Sequence, residues 1–283
     1  MTKVAVIDIG SNSVRLMTKD KKVQKFVKMT QLGKGLHETK MLSKDAMKSS
    51  IQAVQEFLAI AKDYKTYCFA TEAVRSAKNG KEFCAELQAK TGIYVDVLTP
   101  SEEALAGFLG AGGKNSEITV LDVGGASTEI ITGKKGKIEY SVSLPIGAVR
   151  LFDRCGEDIE KLCRVVDEVI PKDLICCDNW VAIGGTVTTI GAMKYCPTGY
   201  DKEKIHQKEL SISDVERAIT ELLPLSESER SEKYPVIAPK RARVMVSGAS
   251  IIKTVMTSQG ISKITLSDSD NAEGYLLLRN YED

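Results

Sequence analysis

The sequence lacks the features that would send it out of the cytoplasm or onto a membrane. Its start, MTKVAVIDIG, has no basic segment followed by an apolar one, so no signal peptide is expected. No apolar run approaches the length that crosses a bilayer. There is no C-x-x-C pair to hold zinc. The seven cysteines, Cys68, Cys84, Cys155, Cys163, Cys176, Cys177 and Cys196, are odd in number and read as reduced, buried thiols. Aromatics are only 6% of residues, too few for stacking platforms along single-stranded nucleic acid. A net charge of +1 excludes a chain-wide attraction for nucleic acid or an anionic membrane. Any anion site must therefore be local.

The 283 residues, 43% apolar and 27% charged, suit one large or two moderate globular domains. KVAVIDIG reads as a strand, and SVRLMTKD and KVQKFVKM continue it as an antiparallel meander. Helical spacing follows from Ser43 to about Lys65, then a short strand KTYCFAT, a helix ending at Gly92, a strand IYVDVLT and a helix with Ser101 as its cap. The plan then repeats. ITVLDVGGASTEIITG and KIEYSVSLPIG supply three more meander strands, followed by helix-like stretches from Val149 to Ile170 and a strand NWVAIGG. Helices TVTTIGAMKY, SISDVERAITELL and RARVMVSGASIIKTVMTSQG, a strand SKITLSD and a last helix NAEGYLLLRN complete it. Such duplication predicts two similar α/β domains, residues 1–115 and 116–283, facing each other across a cleft.

The repeat also carries a motif. Asp8-Ile9-Gly10-Ser11-Asn12-Ser13 matches Asp122-Val123-Gly124-Gly125-Ala126-Ser127. Each turn joins two strands, so it is neither a P-loop nor a dinucleotide fingerprint. Successive N–H groups of Ser11, Asn12 and Ser13, or of Gly124 to Ser127, can converge on phosphate oxygens. One copy alone is most simply a polar hairpin; two at matching places are not. Asp8 would hold a metal ion or order a water. Asp122 and Glu129 would flank the second turn, a pair suited to Mg²⁺, which takes one or two carboxylates plus waters and substrate phosphates. Gly184-Gly185-Thr186, between strand and helix, is a third anion candidate. Arg75 could clamp a phosphate or be a surface arginine. Glu102 and Glu103, taken by type alone, are the acidic residues common at a helix start.

Together the motifs D-I-G-S-N-S-V-R-L, A-T-E-A-V-R-S-A-K-N, S-E-E-A, L-D-V-G-G-A-S-T-E-I, P-I-G-A-V-R-L, A-I-G-G-T, P-K-R-A-R-V-M-V-S-G-A and S-D-S-D-N-A-E-G resemble the exopolyphosphatase / guanosine pentaphosphate phosphohydrolase family, from Asp8 to Gly274. That family belongs with actin, the sugar kinases and the heat-shock chaperone ATPases. The resemblance implies two actin-like, ribonuclease H-like domains with mixed sheets flanked by helices. It implies Glu103 as catalytic base, Arg75 as phosphate clamp, and Asp122 and Glu129 as metal-binding and catalytic acids. Ser11, Asn12 and Ser13 then form the first phosphate loop and Gly124, Gly125, Ala126 and Ser127 the second. Mg²⁺ is the expected cofactor, with Mn²⁺ an alternative and a monovalent cation a further candidate. The expected substrate is inorganic polyphosphate, short chains favoured. The alternatives are hydrolysis of guanosine pentaphosphate, a non-catalytic phosphate or alarmone sensor, a kinase of the same superfamily, and an actin-like filament former. Family members are often dimers. Two departures stand out. The helical C-terminal region of longer members is not found, and Ala272 stands where the family usually has Arg.

Overall fold

The computed structural model describes residues 3–269 and 271–281. The chain packs as two compact units, Met1–Ala106 together with Asn271–Asp283, and Gly107–Asp270. The expected boundary at 115/116 falls inside the second of these, and the last helix packs with the first.

The first unit holds β1 (Val4–Ile9), β2 (Ser13–Lys19), β3 (Val23–Met29), β4 (Lys65–Ala70) and β5 (Asp96–Val97), in the order β3-β2-β1-β4-β5. β1 pairs antiparallel with β2 and parallel with β4. All six residues of β1 are buried because both faces of the sheet are covered. Alternate side chains go to opposite faces. Ala5, Ile7 and Ile9 join a core with Ile51, Val54 and Phe57 of the helix Lys44–Ile60. Val4 and Val6 join Phe69, Leu98, Tyr275 and Leu276, the last two from the terminal helix Asn271–Leu278. At roughly 1.5–3 kcal/mol per fully buried aliphatic side chain, this second face is a substantial part of the unit's stability.

The second unit holds β6 (Glu117–Val123), β7 (Thr128–Lys134), β8 (Lys137–Leu144), β9 (Trp180–Ile183), β10 (Glu209–Ser211) and β11 (Lys263–Leu266), in the order β10-β11-β9-β6-β7-β8. Its first three strands form the same antiparallel meander, and β9 lies parallel to β6 as β4 does to β1. Both units are thus mixed sheets flanked by helices in the ribonuclease H-like order, and the expected fold class is the one observed.

Local differences from expectation have local causes. The helix expected to start at Ser101 runs over Pro100–Phe108 and is capped by Thr99, whose N–H and hydroxyl both bond Glu102 Oε2, at 2.9 and 2.8 Å. That is a capping box, with proline at the first helical position where it lacks nothing. The helix then loosens into a π-type turn, Leu109–Gly113, because Gly112 takes φ of 106°. The helix-like stretches expected over 149–170 are two helices, Ala148–Cys155 and Ile159–Val169, separated at Gly156 with φ of 62°. The long helix expected over 241–260 is a short turn, Pro239–Ala242, and a buried helix, Met245–Ser258. All seven cysteines are free thiols, three buried and four half-buried. Burial pushes the Cys68 and Cys84 thiols up and Cys176 to about 11, so none of these three is a ready nucleophile. Among the described residues, no helix is long and apolar enough to cross a membrane.

Candidate active site

The two matching turns close identically. Gly10 N–H donates to Ser13 O at 3.0 Å, and Gly124 N–H donates to Ser127 O at 3.0 Å. Each turn is also held from behind. Ser11 O accepts from Gly33 N–H at 2.7 Å, and Asn12 O accepts from Thr30 and Gln31 at 3.1 and 3.0 Å. Gly124 O accepts from Ala148 N–H at 2.9 Å, and Gly125 O from Val149 and Arg150 at 2.9 and 3.1 Å. In a trans peptide, C=O and the following N–H point in opposite directions. Drawing these carbonyls into the protein therefore turns the N–H groups of Asn12 and Ser13, and of Gly125 and Ala126, outward. This is the donor arrangement an anion needs. In the second unit the backing comes from the first N–H groups of the helix Ala148–Cys155, which P-I-G-A-V-R opens. Gly147 is required there: a Cβ would stand 2.5 Å from the Gly125 carbonyl carbon.

The strand register places the carboxylates. Asp122 on β6 stands directly across from Glu129 on β7, on the same sheet face. Glu129 Oε1 accepts from Ser143 Oγ on β8 at 2.7 Å. Ile183 is beside Asp122 on β9, so the next residue, Gly184, approaches it closely. A Cβ at Gly184 would lie 2.9 Å from Asp122 Oδ1, and its φ is +97°. The second turn and the Gly184-Gly185 loop therefore meet at Asp122 within one unit. In the first unit the equivalent position to Glu129 is Arg15, directly across from the buried Asp8. A carboxylate facing an arginine position is a poorer metal ligand than one facing a second carboxylate.

Gly185 opens the helix Gly185–Tyr195, and Arg241 lies over it. Arg241 Nη1 donates to Gly185 O at 3.1 Å and to Thr189 Oγ1 at 3.0 Å. Arg241 was not among the sequence candidates, although P-K-R-A-R carries it. Thr186, which was, is 5% exposed, and its hydroxyl packs on Gly248 inside the unit.

Arg75 and Glu103 meet in the first unit. Arg75 sits in the last turn of the short helix Glu72–Ser76. Its Nη1 donates to Glu103 Oε2 at 2.8 Å and to Leu98 O at 2.6 Å, and its Nη2 to Glu72 Oε2 at 2.8 Å. Arg75 is thus no loose surface arginine. Glu103 is largely buried, and this burial pushes its carboxyl above the usual Glu value, opposed by Arg75. Glu102, one residue earlier, has the opposite fate. The N–H and hydroxyl of Thr99, helped by Arg279, hold it down to about 2. Glu72, which holds Arg75 from the other side, was not among the sequence candidates. The E-x-x-R spacing in A-T-E-A-V-R, which puts both side chains on one helical face, was the available signal.

Among the described residues, no three His, Cys, Asp or Glu side chains converge as a metal cluster. Asp122 and Glu129 form a pair, and a pair fits Mg²⁺ completed by waters and phosphate oxygens.

Two ribonuclease H-like units in one chain make this a protein of the actin-like class. Comparison with known proteins narrows the class. Residues 5–279 match the Ppx/GppA phosphatase family, and the chain belongs to that family, a family of phosphoanhydride hydrolases. It is 28% identical to exopolyphosphatase 2 of Mycobacterium tuberculosis, over 98% of each chain. It resembles the crystal structure of the Aquifex aeolicus Ppx/GppA family member at 30% identity and a TM-score of 0.80, over 99% of this chain and 97% of that one. An exopolyphosphatase from Cytophaga hutchinsonii shares the fold, with a TM-score of 0.85 at 24% identity over 99% and 98% of the two chains.

Proposed function

We propose that the protein is an exopolyphosphatase that releases the terminal phosphate of inorganic polyphosphate, with short chains favoured and Mg²⁺ held by Asp122 and Glu129. The observation that carries the catalytic reading is the buried Glu103 carboxylate, fixed by the Arg75 guanidinium, with burial pushing its carboxyl above the usual Glu value. An upward shift makes a carboxylate a stronger proton acceptor, which suits a general base. In this reading Glu103 orients a water and accepts its proton as the water oxygen attacks the terminal phosphorus. The bridging P–O bond breaks and the shortened chain leaves with the electron pair. Phosphoryl transfer needs mainly positioning and charge stabilisation. Arg75, Ser11, Asn12 and Ser13 offer donors within the first unit, and Gly125, Ala126, Ser127, Gly184 and Gly185 offer them within the second. Bound Mg²⁺, or Mn²⁺ in its place, would neutralise developing charge on the phosphate. Asp8 faces Arg15 and is assigned a water-ordering rather than a metal-holding role.

Each backed turn offers two outward N–H groups, enough for a phosphate or two. Further phosphates add mostly uniform binding, which lowers KM without raising kcat. Polyphosphate is favoured over guanosine pentaphosphate by Ala272, which is 4% exposed in the apolar cluster of the first unit and offers a substrate no cation. Phosphate release should be measured over a series of polyphosphate lengths and on guanosine pentaphosphate, with Mg²⁺ and with excess chelator. Release that plateaus within a few phosphates and stops with chelator is expected. Full activity in chelator refutes the metal role, and faster turnover of the guanosine substrate refutes the substrate assignment.

A further inference from the structure

We propose that Arg279, just beyond the terminal helix, is a positioning residue that holds the segment carrying Glu103 in register with Arg75. The inference rests on the reading of Glu103 as the base.

Eight residues, Asp96 to Glu103, carry every group concerned. Arg279 Nε donates to Asp96 Oδ2 at 2.9 Å, and Arg279 Nη1 pairs with Glu102 Oε1 at 2.7 Å. The other oxygen of Glu102 caps the helix by accepting from Thr99. Arg75 holds the same segment through Leu98 O and Glu103 Oε2. Two guanidinium groups therefore fix one short segment. One acts on the catalytic carboxylate itself, and the other on the residues immediately before it. A planar fork bridging two carboxylates sets direction as well as distance, which an ammonium does not.

Docking of the terminal helix does not depend on Arg279. Tyr275 and Leu276 are buried against Val4, Phe69 and Leu98. Tyr281 stacks on Tyr67 at 3.9 Å between ring centroids. Lys25 pairs with Glu273 at 3.0 Å. With Arg279 removed, the helix keeps these contacts. Asp96 and Glu102, however, lose their shared cation. Asp96 keeps the Tyr275 hydroxyl at 3.0 Å and the Thr99 cap still starts the helix, but Glu102 loses its tie to Asp96, and the Leu98–Glu103 stretch can shift against Arg75.

The test compares Arg279→Ala, Arg279→Lys, Lys25→Ala and Glu103→Gln by steady-state phosphate release and thermal melting. A misplacement of 1 Å costs about 10²-fold, so a partial shift in Arg279→Ala should lower kcat roughly ten-fold and leave KM within about two-fold. Lysine reaches one carboxylate only, so Arg279→Lys should fall between Arg279→Ala and wild type at roughly three-fold. Lys25→Ala loosens the same helix through Glu273 without touching residues 96–103, and should keep wild-type kcat. A wild-type kcat in Arg279→Ala overturns the proposal. So does an equal loss in Lys25→Ala, which would mean that only helix docking matters. If Arg279→Ala fails to fold, an unchanged kcat in Arg279→Lys overturns it. Glu103→Gln separates the two levels. If that variant stays active, the reading of Glu103 falls. If it is inactive while both Arg279 variants are normal, only the positioning role falls.

Discussion

Glu102 and Glu103 are adjacent carboxylates on one helical turn, and their surroundings divide the work between them. Glu102 accepts from Thr99 and pairs with Arg279, so its charged form is stabilised from its ordinary value of 4.5 down to about 2. Its stabilising contribution is present above pH 4.5 and is lost only as pH falls towards 2. Glu103 is buried, so its neutral form is favoured and its carboxyl lies above the ordinary 4.5. The base must be ionised to accept a proton. Hence kcat/KM should rise with pH through a limb that lies above 4.5, and a limb at or below that value contradicts the assignment. Glu103→Gln should lower kcat by roughly 10²–10⁴-fold, the usual cost of losing a general base, whereas Glu102→Gln keeps one oxygen for Thr99 but loses the pair with Arg279 and should cost about as much as Arg279→Ala, roughly ten-fold. Phosphate release with both variants checks this; more than half of wild-type turnover in Glu103→Gln removes Glu103 from the mechanism. The sequence showed two acids at a helix start and nothing in their type to separate them. What separates them is contact with Arg75 and Arg279, and the latter's bond to Asp96 spans 183 residues of chain, beyond any local pattern.

At the scale of elements, the strands around the two turns were legible because their alternation and glycines are local. The Asp8 and Asp122 turns and the meanders lie where the pattern put them. What lies behind the turns was not legible. The Thr30–Gly33 strap and the start of the helix Ala148–Cys155 reach the turns through main-chain N–H groups, which leave no side-chain signature. The break between Pro239–Ala242 and Met245–Ser258 was not legible either, because the apolar periodicity continues across it. The backing can be tested by its tightest contact. In Gly147→Ala the new methyl would meet the Gly125 backbone at 2.5 Å, and backbone cannot rotate aside as a side chain can. The helix must back away, Gly125 O loses its donors, and the outward N–H groups lose their direction. Kinetics should show a KM for polyphosphate raised about ten-fold or more, in proportion to the roughly 1.5–3 kcal/mol of hydrogen bonds to a charged group. Gly156→Ala is a poor companion control because of its own positive φ. Gly199→Ala, where the added methyl meets nothing within 4 Å and the backbone needs no positive φ, is the better one and should bind normally.

For the whole molecule, duplication was readable in the sequence and the assignment of the last helix was not. Residues 271–283 belong with the first unit although 164 residues of the second intervene between 106 and 271. NAEGYLLLRN shows apolar residues but not which sheet they cover. The second unit likewise depends on a long-range contact. Arg230 is 1% exposed, the largest fully buried side chain among the described residues, yet it sits in the charged run ESERSEK, which reads as a solvated helix. It pairs in bidentate fashion with Glu157 at 2.6 and 2.7 Å and donates to Leu222 O and Ala242 O at 2.9 and 3.0 Å. One guanidinium thus ties four separate stretches of the second unit. Removing one partner of a buried pair costs about 3–5 kcal/mol, because the other is left uncompensated. Glu157 keeps 27% side-chain exposure and can rehydrate, so Arg230→Ala should fall at the low end, about 3 kcal/mol, most of it from carbonyls left without donors. The only tryptophan, Trp180, lies 5% exposed on β9 of this same unit and reports on it directly. Denaturant unfolding followed by its fluorescence should show the midpoint moved down in Arg230→Ala with the slope unchanged. Glu157→Gln, which keeps an acceptor for the guanidinium, should lose less. A midpoint in Arg230→Ala equal to wild type would mean that the carbonyls of Leu222 and Ala242 find other donors, and that Arg230 is buried without holding the unit together.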